Sequence, residues 1–319
     1  MQSFCRAVVS CLLICLAVPS VRAQDLDSSN LVNELTQLIT TRRKAITTAE
    51  ISAEHLSVSG ELLNQFDSEK LKKALTDYVE SGRSAADRTK LYETLCQPEA
   101  ATQARRIKLY EDGSRYSLSV EGQNRYVTDY RAVVRTTMPD SRTPLAQIYP
   151  RQGTLRPLDL RDFSRELKSK LAPSQVVADD LGQLLASGTT DPATSWKTEF
   201  SREDGILANS LAESPSGRWL TIQAGRISTR SEVPFPAVVC ELRSVSDSRD
   251  LILLVPIEIR VNEPLPAEVF KVAMPAGTTI TDNRDPGHTP RAASKAVDDI
   301  VELADAHSGT KPDLNPSSK

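Results

Sequence analysis

The chain has 319 residues, a formal net charge of −3, 39% hydrophobic and 25% charged residues. A charge this balanced implies neither a nucleic-acid partner nor a membrane-coating surface. Aromatic residues at 5% leave little for a platform on which sugars or bases could stack.

Residues Met1 to Ala23 read as a targeting segment. Arg6 makes a basic start, and Ala7 to Val18 forms an apolar core of about a dozen residues, within the signal-peptide range. The run is shorter than the ~20 apolar residues a spanning helix needs. Val21-Arg22-Ala23 places cleavage between Ala23 and Gln24. The expected location is therefore the periplasm or the exterior, with no transmembrane segment once the leader is gone. The mature chain keeps about 260 residues of domain, enough for one large core.

Of five cysteines, Cys5, Cys11 and Cys15 leave with the leader, and Cys96 and Cys240 remain. In an exported chain these two can pair as one disulfide. They can equally be two buried free thiols, since free cysteine is a common core residue.

Taken in order, Leu31, Leu35, Leu38 and Ile39 fall on one helical face behind the capping run Ser28-Ser29-Asn30, which predicts a helix over Leu31 to Ile46. Thr47 to Ser59 alternates Ile51, Ala53, Leu56 and Val58 with polar residues and predicts a strand. Asp67 to Cys96 carries two helical stripes, Leu71-Ala74-Leu75-Tyr78-Val79 and Leu91-Tyr92-Leu95, separated by Ser81-Gly82-Arg83-Ser84. A helical pair packed on a sheet or inserted at its rim is expected there.

From Arg105 a meander begins. Ile107 and Leu109 alternate, Asp112-Gly113 signals a hairpin, Tyr116, Leu118 and Val120 alternate again, and one strand is expected over Arg125 to Arg135. The arginines of this region could hold phosphate or carboxylate groups, but interspersed Glu111, Asp112, Glu121 and Asp129 favour a solvated outer face. Leu158 to Gly188 reads as a second helical insertion: Leu160, Phe163, Leu167 and Leu171 first, then Val176, Val177, Leu181, Leu184 and Leu185 after Pro173. From Trp196 the chain is strand after strand, with turns at Asp204-Gly205 and Pro215-Ser216-Gly217, ending in the strong run Leu251 to Asn262. Val269-Phe270-Lys271-Val272 and Thr278 to Thr281 are expected as the closing strands of one antiparallel sheet. Beyond Asp285-Pro286-Gly287-His288 one short helix over Val297 to Ala304 and a polar tail are expected.

Catalytic chemistry finds few candidates. The histidines are His55, His288 and His307, none at metal-ligand spacing. His55 beside Glu54 is a weak local pair, and neither a nucleophile elbow nor a phosphate-cradling glycine motif occurs. Acidic pairs of the glycosidase kind cannot be nominated from spacing alone. No catalytic residue, metal or cofactor is expected.

The closing residues Pro264-Leu265-Pro266-Ala267-Glu268-Val269-Phe270, then Met274-Pro275-Ala276-Gly277-Thr278 and Asp282, following a helix that runs directly into a strand and a meander, resemble the bacterial LolA-like superfamily of periplasmic lipoprotein-sorting carriers and their exported relatives. The likeness is best over Val255 to Asp282, extends to Leu31–Ser59 and Arg105–Arg135, and is absent over the two helical stretches. It implies an α+β fold: a strongly curved antiparallel half-barrel with helices on its concave side, here with two helical insertions. Residues 24–284 would form that domain, with 285–319 as a flexible tail. It also implies a cavity that holds a lipid or the acyl chains of a lipoprotein and needs no catalysis. The alternatives are an interaction module of the cell envelope, its cavity filled by side chains and its partner another envelope protein, and an exported hydrolase built around His55 or an acidic pair.

Overall fold

The computed structural model describes residues 28–59, 68–96, 104–113, 115–120, 125–128, 132–137, 145–150, 173, 175–191, 193–245, 248–271, 276–283 and 291–292. The expected leader, the expected Leu160–Leu171 helix and the expected helix over Val297–Ala304 lie outside them.

Helix α1 (Ser28–Ala45) turns at Ile46-Thr47 into strand β1 (Thr48–Ser59). One asparagine far along the chain fixes that corner. Asn262, at φ +61°, accepts from the Thr47 N–H at 2.8 Å and donates to the Ala45 carbonyl at 2.8 Å. Asparagine tolerates this left-handed backbone and brings its own donor and acceptor, so it can serve both roles.

Helices α2 (Ser68–Glu80) and α3 (Ala85–Leu95) follow as an antiparallel hairpin. Ser84 opens α3 with a reciprocal capping box: its hydroxyl accepts from the Asp87 N–H, and the Asp87 carboxylate accepts from the Ser84 N–H. The first expected helical insertion is thus present.

The meander continues as β2 (Arg105–Asp112), β3 (Arg115–Val120), β4 (Arg125–Thr128), β5 (Ala132–Thr137) and β6 (Leu145–Pro150). The single strand expected over Arg125–Arg135 is two, since β4 and β5 pair antiparallel with Thr128 opposite Val133. A larger revision concerns the second expected helical insertion. Its later part is a hairpin of β7 (Gln175–Ala178) and β8 (Gln183–Asp191), not a helix. The reason is local: Asp179 Oδ1 accepts from the N–H groups of both Leu181 and Gln183, and Gly182 takes φ +75°. That Asx turn reverses the chain before a second helical turn can form.

Strands β9 (Thr194–Ser201), β10 (Leu207–Ser214) and β11 (Gly217–Ala224), the two-residue ribbon β12 (Ile227–Ser228) and β13 (Pro234–Phe235), then β14 (Val238–Val245) and β15 (Ser248–Val261) complete the antiparallel core. Pro256 is tolerated in the middle of β15 because the register against β1 shifts there, between Ser52 and Ala53, leaving Ile257 as the extra, half-exposed residue. The chain then departs from expectation. Ala267–Phe270 is one turn of 3-10 helix, not a strand, and β16 (Thr279–Asp282) pairs in parallel with β6. A last short strand, β17 (Arg291–Ala292), pairs with β16.

The result is an α+β half-barrel: an open, curved sheet of 15 described strands in the order β17-β16-β6-β5-β4-β3-β2-β1-β15-β14-β11-β10-β9-β8-β7. Strand alternation sorts the core onto two faces. Leu31, Leu35 and Ile39 of α1 pack with Val176, Leu184, Ala186, Trp196, Phe200 and Leu207 on one face. The same face, further along, buries Ile51, Ala53, Ile107, Leu109, Tyr116, Leu118, Val239 and Leu254, with Phe235 of the ribbon. On the opposite face α2 and α3 cover β1, β11, β14 and β15 through Leu71, Leu75, Leu91, Leu95, Leu220, Ile222, Leu251, Leu253 and Val255.

Candidate functional site

The α1 face is not filled along its whole length. Between the ground covered by α1 and the outer meander strands it is hollowed into a recess of about 540 Å³, its open mouth included, lined by His55, Ile107, Leu109, Tyr116, Leu118, Val120, Val239, Glu241, Ile252 and Leu254. These residues come from β1, β2, β3, β14 and β15, and the register explains why they meet. Leu109 lies opposite Leu118 and Ile51, Ile107 opposite Val120 and Ala53, and Leu254 opposite both His55 and Val239. Cross-strand neighbours at this spacing form a continuous patch on one face.

The floor is strongly apolar, and polar groups gather toward one end. Leu109, Tyr116 and Val239 are buried. His55 pairs across the sheet with Arg105, and Glu241 with Ile252. Arg243 Nη2 donates to Glu241 Oε2 at 3.0 Å. The enclosed part is about 90 Å³, below the ~300–1,000 Å³ of sites that bury a whole drug-sized ligand, so a slender chain would lie partly in the open mouth. Such a lining can exclude water from a hydrocarbon chain while leaving its polar end among His55 and Glu241.

A wider depression beside α1, lined by Glu34, Gln37, Thr41, Glu203, Asp204 and Glu232 among others, is acidic. Two of its carboxylates are already paired, Glu34 with Arg202 at 2.6 Å and Asp204 with Arg226 at 3.1 Å.

The residues singled out in the sequence separate. His55 faces the recess, but Glu54 projects to the other face, where its Oε2 accepts from Arg88 Nε at 3.1 Å and from the Tyr92 hydroxyl at 2.9 Å. The two therefore cannot act as one acid–base pair. His288 and His307 lie outside the described residues, as do Ala23 and Gln24 of the expected cleavage site. Among the described residues no three of His, Cys, Asp and Glu gather as metal ligands. Of the meander arginines, Arg115 sits over the Phe270 ring at 4.5 Å and pairs with Asp112, a structural employment. Cys96 and Cys240 stand as free thiols in one core cluster. Sequence reasoning did not find Tyr116, Val239, Glu241 and Leu254 as wall residues. Their alternation marks a buried face, but not which distant strands share it.

No family model and no curated protein matches the chain. Solved structures similar to it include a LolA superfamily protein of Nitrosomonas europaea, at 10% identity and a TM-score of 0.42 over 76% of this chain and 96% of that one. A DUF1329 family protein of Desulfovibrio piger matches at 9% and 0.45 over 75% and 96%. An outer membrane lipoprotein-sorting protein domain of Vibrio parahaemolyticus matches at 9% and 0.37 over 75% and 97%. The resemblance is loose. It fixes neither ligand nor partner, and the site stands on its own geometry. No helix among the described residues is long and apolar enough to cross a membrane.

Proposed function

We propose that this is an exported cell-envelope protein that binds or carries a lipidic ligand, one apolar chain lying in the recess between β1–β3 and β14–β15, without converting it. The observation that carries this reading is an open recess whose floor is Leu, Ile and Val side chains from four strands, with His55 from a fifth. Burying hydrocarbon there contributes ~0.8 kcal/mol per methylene, and that affinity requires no catalytic group. The apolar leader Ala7–Val18 supports export. An interaction module with a filled cavity fits less well, because this part of the sheet face retains open space. A hydrolase fits least, because Glu54 is turned away from His55.

The test is native mass spectrometry of Gln24–Lys319 purified from a bacterial periplasm, followed by delipidation and titration with a fluorescent fatty acid. Saturable uptake at one ligand per chain, reduced at least tenfold by filling the recess with Leu118→Trp, is the expected result. A ligand-free mass together with no uptake after delipidation would overturn the reading.

A further inference from the structure

Cys96 and Cys240 are far apart in sequence and together in the fold. Cys96 ends α3 in extended conformation, its N–H still donating to the Tyr92 carbonyl at 2.8 Å. Cys240 lies mid-strand in β14, opposite Leu253 on one side and Ile222 on the other. Its side chain points to the face that α2 and α3 cover. Cys240 belongs to the buried cluster that includes Leu91, Leu95, Leu220, Ile222 and Leu253, and the partly buried Cys96 packs against it. With residues 1–23 removed as a leader, no other cysteine remains, and each then has a single intrachain candidate partner.

We propose that Cys96 and Cys240 form a disulfide that locks the end of α3 to the central strand β14 when the chain folds in oxidising surroundings. The bond forms by exchange with a disulfide oxidant, such as oxidised glutathione or a protein disulfide. One cysteine thiolate attacks the oxidant and expels one of its thiolates. The second cysteine thiolate then displaces the other oxidant sulfur from the mixed disulfide. Two protons and two electrons leave the protein, and the oxidant becomes two thiols.

The surroundings of the two sulfurs set when this happens. Burial pushes the Cys96 thiol up to about 11 and pushes the fully buried Cys240 thiol up further, with Glu241 and Cys96 adding to it. Thiolate is the reactive form, so the folded, reduced protein is a poor substrate for oxidation. The cross-link is a folding-stage lock rather than a switch thrown in the folded protein. It closes a loop of about 140 residues, near the upper end of the chain-entropy effect.

The full mature chain, unfolded and reduced, is refolded in a buffer of oxidised and reduced glutathione, acid-quenched, and alkylated with N-ethylmaleimide in denaturant. The expected product carries no alkyl group, is two mass units lighter than the dithiol, and yields one Cys96–Cys240 cross-linked peptide. Reduction should then lower its thermal midpoint by on the order of 10 °C, with no such drop for Cys96→Ala/Cys240→Ala. Two alkylated thiols, stable glutathione adducts or a disulfide-linked dimer would overturn the cross-link. Protein already folded in the reduced state should form the bond many-fold more slowly. Equal rates would overturn the folding-stage assignment.

Discussion

Glu54 is the residue on which the α2–α3 hairpin meets the sheet as a charge. Its carboxylate and Arg88 are each about four-fifths buried, with 18% and 17% of the side chain exposed, at 3.1 Å. The Tyr92 hydroxyl donates to the same oxygen. Removing one member of so enclosed a pair leaves the other uncompensated, so Glu54→Ala should cost about 3 kcal/mol, against about 1 kcal/mol for Tyr92→Phe; urea unfolding at pH 7 measures both. The same site predicts a response to alkali. Burial is the main force pushing the Tyr92 and Tyr78 phenols up, with Glu54 reinforcing it. The unfolded chain therefore releases these protons first: stability is fully present below about pH 10 and falls as pH rises above it. In the reduced protein the Cys96 and Cys240 thiols, raised by burial, start the same decline from about pH 9. Urea midpoints of oxidised protein at pH 8 and pH 11 should differ clearly for the native chain and less for Tyr92→Phe. An unchanged difference in the variant would show that Tyr92 is not one of the titrating groups.

At the scale of elements, close approach decides what each segment tolerates. Gly225, at φ +66° after β11, lies against α2 so closely that a Cβ there would stand 2.7 Å from Val79 Cγ2 and 2.9 Å from the Ala237 Cβ. Val79 is β-branched and stiff, so Gly225→Ala should force the hairpin off the sheet at a cost of about 2–4 kcal/mol, readable as a lowered urea midpoint with an unchanged slope. Packing of this kind also explains which elements were legible. Helix α1 was readable because Leu31, Leu35, Leu38 and Ile39 leave only the helical period, and β1 to β3 because strict alternation leaves only the strand period. In the β7–β8 hairpin the pairs Val176-Val177 and Leu184-Leu185 fit both periods, and the Asp179 turn that settles the choice was masked by Leu181, an exposed apolar residue at the tip. Val269-Phe270 failed for another reason. Four residues carry no period, and Phe270 is buried by docking onto Arg115 and β3 rather than by alternation. The recess was less legible still: its walls span residues 55 to 254, and pairing register, which alternation does not encode, brings them together.

Across the whole molecule, one sheet face is divided between two tasks. Its β7–β10 end is sealed by α1 through Leu35 and Ile39, both almost fully buried. Its β1–β3 and β14–β15 region carries the recess. The opposite face is occupied by the α2–α3 hairpin, which braces the strands beneath the recess from behind. Neither helical layer supplies a recess wall residue, so stability and ligand capture should be separable by mutation. Leu35→Ala opens a cavity under α1 and should cost about 2–5 kcal/mol, while fatty-acid affinity stays within a factor of about two at temperatures where the protein remains folded. Leu118→Trp should do the reverse. Its side chain enters space already open, so the cost from overpacking stays at or below about 1–3 kcal/mol, while uptake falls at least tenfold. Thermal midpoints and fluorescent fatty-acid titrations on the two variants form the comparison. If Leu35→Ala weakens binding as much as Leu118→Trp, then α1 takes part in holding the ligand, and the division of the sheet face into seal and recess is wrong.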